Sequence, residues 1–232
     1  MEPVFDLATV DVDGAIREQE QAVSTDTRAQ FFRKAAVGGG AVLGSGAFLG
    51  MLPELANAKP SKKQDLAILN YALTLEYLEA AFYAEAIEKG SSFADPVRDV
   101  TALIAEHEKT HVEALKKTIA KLGGKAVAKP QFDFKGTTGE QSAFVETAFV
   151  LENTGVHAYL GQAGRLKSKA LLAAAASIVT VEARHAAAIA VLQGDSPYKE
   201  GKGSITPDSA FDTPLSQKQV LAAVKKTGFI TG

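Results

Sequence analysis

The chain has no cysteine and no tryptophan, only four histidines, and no strong charge of either sign. Without cysteine there can be no disulfide, iron–sulfur cluster, thiolate zinc site or cysteine nucleophile. Any metal must therefore sit on carboxylate oxygen and imidazole nitrogen. A formal net charge of -2 over 232 residues, with no basic block, offers little to a phosphate backbone, and nucleic acid is not an expected partner. What is present is an ordinary, alanine-rich globular composition, long enough for one domain with a sizeable core plus appendages.

Residues 1–26 are acidic and polar without a strong period and read as a flexible leader. The character then changes. Thr27-Arg-Ala-Gln-Phe-Phe-Arg-Lys34 precedes an uncharged run from Ala35 to Leu52 that contains six glycines, and Ala56-Asn-Ala58 supplies the small residues of a cleavage site. Residues 1–58 are expected to be a leader and export signal that is removed. The mature protein is then periplasmic, at the cell surface or extracellular. The alternative is a retained N-terminal anchor, since the run is long enough to cross a bilayer. The order threonine, arginine, spacer, phenylalanine pair, basic residue resembles a twin-arginine signal, and Ala29 stands where the second arginine would be.

Four long helices are expected in residues 59–193. The first runs from Asp65 to Lys89 and stops at Gly90. The second opens on Asp95-Pro96 as cap and first turn and stops at Gly123. The third spans about Gln141 to Leu166, and the fourth is capped by Ser168 and ends at Gly194. Each carries an apolar stripe at helical spacing with polar intruders. Leu69, Leu73, Glu76, Ala80, Tyr83 and Ile87 share a stripe on the first, with Glu79 on its neighbour. Val97, Ile104, Glu108, His111, Leu115 and Leu122 share one on the second. The third presents Val145, Ala148, Glu152, Val156, Tyr159 and Ala163. The fourth presents Leu171, Ala174, Ile178, Glu182, His185, Ile189 and Leu192.

The halves rhyme, because Glu76 precedes Tyr83 as Glu152 precedes Tyr159, and each such helix is followed by one with Glu-x-x-His. From Gly123 to Glu140 there is no helical period, and a connection of that length can run along a whole helix. These features predict an all-α fold: a four-helix bundle with a long crossover between helices 2 and 3. Residues 194–232 are expected to be a tail packed on the bundle, with one short helix from near Ser216 carrying Val220, Leu221 and Val224.

One Glu-x-x-His is by itself a surface pair or a hydrogen-bonded core histidine. Two copies, each in an apolar stripe, are different, since an inward carboxylate beside an imidazole is costly unless paired or metal-bound. Glu76, Glu108, His111, Glu152, Glu182 and His185 are expected to converge. One glutamate from each of two helices and a Glu-x-x-His from each of the others is the ligand set of carboxylate-bridged dinuclear iron or manganese bundles. Four carboxylates would balance two divalent ions, and mixed oxygen and imidazole donors suit those metals. A buried network of protonated glutamates is the bland alternative.

Around this set, Glu79 is expected to support the ligands from behind rather than bind metal itself. Tyr83 and Tyr159 lie two turns, ~10 Å, from Glu76 and Glu152 on their own helices. They are read as packed tyrosines with hydrogen-bonded hydroxyls that back the site. His107 is expected to face solvent, and Glu146, Asn153 and His157 to form a polar rim.

At these residues the chain resembles the ferritin-like superfamily, and more closely the exported ferritin-like proteins that include plant desiccation-related proteins. The closer likeness rests on Leu75-Glu-Tyr-Leu-Glu-Ala-Ala-Phe-Tyr83, Phe132-Asp-Phe134 and Leu151-Glu-Asn-Thr-Gly-Val-His-Ala-Tyr-Leu160. The resemblance covers residues 65 to about 226. It implies one metal held by Glu76, Glu108 and His111 and another by Glu152, Glu182 and His185, with Glu108 and Glu182 between them. Glu-x-x-His on the fourth helix is similar to rubrerythrin-like and manganese catalase-like proteins and speaks against a storage cage. The expected function is oxygen or peroxide redox chemistry in stress protection, with a small-molecule oxidant as partner. The alternative is a non-catalytic metal-binding or structural stress protein. Monomer and oligomer are both left open.

Overall fold

The computed structural model describes residues 61–194 and 211–231, so the leader and export-signal expectation lies outside the described residues. Those residues form five helices: α1 (Lys62–Lys89), α2 (Asp95–Lys121), α3 (Gln141–Ala163), α4 (Lys169–Leu192) and α5 (Gln217–Thr227). The fold is the expected helical bundle with a short C-terminal helix and, among the described residues, no strand. Helices α1 and α2 form one hairpin and α3 and α4 the other; α1 packs on α3 and α2 on α4.

The helix ends follow from local chemistry, with three departures from expectation. Helix α1 starts earlier than Asp65, because Ser61 accepts from Gln64 N at 3.2 Å and caps it. Asp65 is instead buried, and its carboxylate accepts from Lys167 N at 2.8 Å and Ser168 N at 3.3 Å. It thereby ties the start of α1 to the α3–α4 turn. Asp95 is not the cap of α2: Ala94 occupies that position with no side-chain bond, and Asp95 sits one residue inside, paired with Arg98. Helix α3 ends at Ala163 rather than Leu166, leaving 164–168 as the turn into α4, whose Ser168 cap is as expected. At the tail, Ser216 and Gln219 form a reciprocal capping box on α5.

The crossover runs along α1. Asn70 accepts from Val127 N at 2.7 Å near one end of that helix, and Thr138 donates to Glu85 at 2.6 Å near the other. Sequence did not foresee its pairing with the C-terminus. Phe132 and Ile230 form an isolated antiparallel bridge, with Asp133 N donating to Phe229 O at 2.8 Å and Thr231 N to Gln131 O at 3.0 Å. Phe134 packs edge-on against both Phe82 and Phe229. Helix α5 buries Val220 and Val224 against the bundle.

The core falls into two apolar clusters at opposite ends of the bundle. One is aromatic, with Phe82, Tyr83, Phe93, Phe134 and Phe144; the other is mainly aliphatic, with Leu69, Leu73, Leu115, Ile119, Tyr159 and Leu171. Between them lies a layer of buried polar side chains. On the expected stripes, Ile87 and Ala174 are exposed, and Ile178 is only half-buried.

Candidate metal centre

Each Glu-x-x-His turns both side chains to one helix face, and the antiparallel hairpins bring the four faces to the same level. Glu76, Glu108, Glu152 and Glu182 are fully buried, and His111 and His185 nearly so. The structure thus brings together all six residues picked from sequence. His111 Nδ1 lies 3.2 Å from Glu76 Oε2, 3.4 Å from Glu108 Oε2 and 3.0 Å from Glu182 Oε1. His185 Nδ1 lies 3.1 Å from Glu108 Oε1, 3.2 Å from Glu152 Oε2 and 3.2 Å from Glu182 Oε2.

Two four-residue groups result: Glu76, Glu108, His111 and Glu182, then Glu108, Glu152, Glu182 and His185. Within each, one donor atom per residue lies within 4.8 Å of all the others. Glu108 and Glu182 belong to both. These buried groups could hold metal ions, and one observation tests the fit. Glu76 Oε2, Glu108 Oε1 and Glu182 Oε1 are buried without a hydrogen-bond partner, although each faces a histidine nitrogen. A single N–H cannot satisfy three oxygens at once, and an unmade buried bond costs ~1–3 kcal/mol, more for a charged group. A cation between the nitrogen and the oxygens would engage them all.

Protonation without metal shows the same tension. Burial, opposed by the His111 hydrogen bond and reinforced by the charges of Glu182 and Glu108, pushes the Glu76 carboxyl well above the carboxylate range. Burial likewise raises Glu152, against its bond to His185. Glu108 goes the other way: burial would raise it, but hydrogen bonds with His111, His185 and Glu76 outweigh that and keep it ionised to low pH. Both imidazoles would be lowered by burial, yet their carboxylate partners hold them protonated far above neutrality.

The tyrosines hold a surprise of pairing. Tyr83 on α1 donates to Glu152 Oε1 on α3 at 2.5 Å, and Tyr159 on α3 donates to Glu76 on α1. Each hydroxyl is hydrogen-bonded, as expected, but to the glutamate of the other half, because two turns along one helix equals a step across to the antiparallel level of its partner. Glu79 belongs to neither four-residue group. Its carboxylate lies against α3, where a Cβ on Gly155 would stand 3.1 Å from Glu79 Oε1. Burial, then the charges of Glu182, Glu108, Glu152 and Glu76, push its carboxyl far up.

His107 corrects the sequence reading. It does not face solvent; its Nδ1 lies 2.9 Å from His185 Nε2, with the two rings stacked at 5.2 Å. With His185 held protonated by its carboxylate partners, both of its nitrogens carry a proton: Nδ1 faces the carboxylates and Nε2 donates to His107 Nδ1. The signal was available, as His107 stands next to the ligand stripe, but periodicity alone could not show which side the neighbouring helix occupies. The expected rim is loose: Glu146 is exposed, Asn153 donates to Phe149 O at 2.8 Å, and His157 lies 3.6 Å from Asp212.

Superposing the halves in sequence exposes the asymmetry. Aligning Glu76 with Glu152 sets Tyr83 on Tyr159 but Glu79 on Gly155, and aligning Glu108 with Glu182 sets His107 on Val181. One half supplies the extra carboxylate and the extra imidazole, and the other supplies the space for the carboxylate. The model of the ferritin-like domain family matches residues 64–195, which runs from the first turn of α1 through α4 and covers more than half of the chain. No curated protein matches it.

Proposed function

This chain belongs to the ferritin-like domain family, and from that premise we propose that it binds a carboxylate-bridged pair of iron or manganese ions and uses them on dioxygen or peroxide. The observation that carries the reading is the double convergence: two imidazole nitrogens, each facing three carboxylate oxygens, with Glu108 and Glu182 shared. Glu76 and His111 would hold one ion, Glu152 and His185 the other, with Glu108 and Glu182 bridging. The oxygen and nitrogen donors and the four carboxylate charges suit divalent iron or manganese.

Bound there, such a pair supplies one-electron redox steps and polarises a small oxidant. The chain does the rest. Tyr83 and Tyr159 orient the terminal carboxylates, His107 fixes the ring of His185, and the apolar clusters above and below keep bulk water out. With no cysteine there is no built-in iron–sulfur relay, so electrons come from the substrate or a separate donor. In its setting we read the protein as exported and protective under stress, after removal of residues 1–58.

Metal analysis of purified protein tests the centre. About two ions per chain are expected, with His111→Ala and His185→Ala each lowering occupancy and His157→Ala leaving it unchanged. Equal metal content in all three variants would overturn the assignment. Peroxide consumption and ferrous oxidation by the loaded protein then decide between enzyme and passive binder. Export is checked separately by N-terminal sequencing of the protein outside the cytoplasm, which should begin near Lys59; an intact Met1 on cytoplasmic protein would refute it.

A further inference from the structure

A cavity of about 60 Å³ opens among the four helices at the aliphatic end of the bundle, walled by Ile68, Leu115, Ala158, Leu171 and Ile178. No charged side chain lines it. Tyr71 and Gln162 are among the lining residues, and Tyr71 Oη and Gln162 Nε2 are buried with no hydrogen-bond partner. The amide of Gln162 is oriented, because its Oε1 accepts from Arg165 Nη1 at 3.1 Å and leaves Nε2 as the free end. Tyr159, whose hydroxyl donates to Glu76, forms part of the same wall. The cavity therefore ends one hydrogen bond from the carboxylate layer.

Its existence traces to single residues. In the aligned halves, Phe82 and Phe144 fill the aromatic end with rings stacked at 5.3 Å, and their counterparts at the other end are Ala158 and Ile68. Both of these line the cavity. Both ends keep the tyrosine that bonds the opposite glutamate, but the two missing rings leave room beside Ala158 and Ile68. A water needs roughly 10–15 Å³ of such space, so the volume takes about four heavy atoms.

We propose that this cavity binds a small neutral molecule with an alkyl body and a hydroxyl or hydroperoxyl head, the head held by Gln162 Nε2–H and Tyr71 Oη and placed beside Tyr159. The apolar, uncharged wall favours an alkyl body and rejects hydrated ions, ferrous iron included. Gln162 Nε2–H donates and the Tyr71 hydroxyl can donate or accept, a pair that a hydroxyl oxygen meets with its lone pairs and its proton and for which dioxygen is too weak an acceptor. As a statement about substrate class this rests on the metal reading, but binding itself does not need the metal.

The test is an NMR titration of metal-free and metal-loaded protein with 1-propanol, following the methyl groups of Ile68, Ala158 and Ile178. A parallel arm on the metal-free protein with ethyl hydroperoxide, which like 1-propanol has four heavy atoms, distinguishes an alcohol site from a hydroperoxide site by which probe binds more tightly. Saturable shifts confined to the cavity are expected in both metal states. Ala158→Phe, which restores the ring of the other half, should abolish them. Gln162→Leu should weaken propanol roughly three- to tenfold, the worth of one hydrogen bond, while xenon still binds the cavity. That second variant keeps the proposal testable if Ala158→Phe fails to fold. Propanol shifts that are absent, or unchanged in Gln162→Leu, overturn the proposal. Propanol binding in a protein that takes up no metal leaves this site standing and removes the metal reading alone.

Discussion

At the scale of single residues, the polar layer is held by partners from the opposite helix, and His107 is the clearest case. It accepts from His185 Nε2, so it sets the ring plane and keeps Nδ1 turned toward Glu108, Glu152 and Glu182. Outer partners of this kind are worth ~10–100-fold in metal affinity. His107→Leu should weaken metal binding by about that factor in a chelator competition titration, and His107→Gln, which keeps an acceptor oxygen, should recover most of it. Wild-type affinity in both would show that the pair is mere packing. At the same scale, Glu79 and Gly155 were both visible in sequence as single letters. Their complementarity was not, since it depends on the contact between α1 and α3.

At the scale of elements, the four long helices and the capped short one could be read from periodicity and punctuation. Ser61, Ser168 and Ser216 all act as caps. Asp95 did not, because Pro96 fits the first turn as well with Asp95 already helical, and its carboxylate found Arg98 instead. The seating of the segment before α5 depends on one glycine. A Cβ on Gly161 would stand 1.8 Å from the carbonyl oxygen of Leu215, and backbone cannot yield as a side-chain tip can. Leu215 N also donates to His157 O at 3.1 Å on the same helix. Gly161→Ala should therefore displace Leu215 and loosen α5. Limited proteolysis should cut faster around residues 211–216, with a loss of ~1–3 kcal/mol in denaturant unfolding. Unchanged cleavage and stability would mean that this approach is not tight in solution.

At the scale of the whole molecule, the buried charges link stability to pH and metal. In the metal-free protein, Glu76, Glu79 and Glu152 are raised above their unfolded values, and so are His111 and His185. Near neutrality the folded state then binds more protons than the unfolded one, and stability must fall as pH rises. The histidine contribution is fully present below about pH 6.5 and declines toward their raised values, while the three carboxyls reduce stability from about pH 4.5 upward, where the unfolded chain releases protons that the folded state keeps. Glu108 has the opposite sign, and its contribution is lost only as pH falls below about 4.5. The melting temperature of metal-free protein should thus rise between about pH 8 and about pH 5.5 and fall again in stronger acid. Metal must displace these protons, so its stabilising effect should grow with pH. Calorimetry with and without chelator measures both trends, and a metal-free melting temperature that climbs with pH would contradict them.

Read alone, the sequence determined the helix class, the stripes and the identity of the six inward groups, because periodicity of 3.6 residues reports which side chains share a face whatever the neighbour is. Tertiary structure decided what lay across from each face. It set Tyr83 on Glu152 and Tyr159 on Glu76, turned His107 to His185, and bridged the crossover at Phe132 to Ile230. It also left the space beside Ala158 that Phe82 and Phe144 fill at the other end. Each of these depends on the axial shift and rotation of one helix against another, and those are fixed by packing of the whole core rather than by any local run of residues.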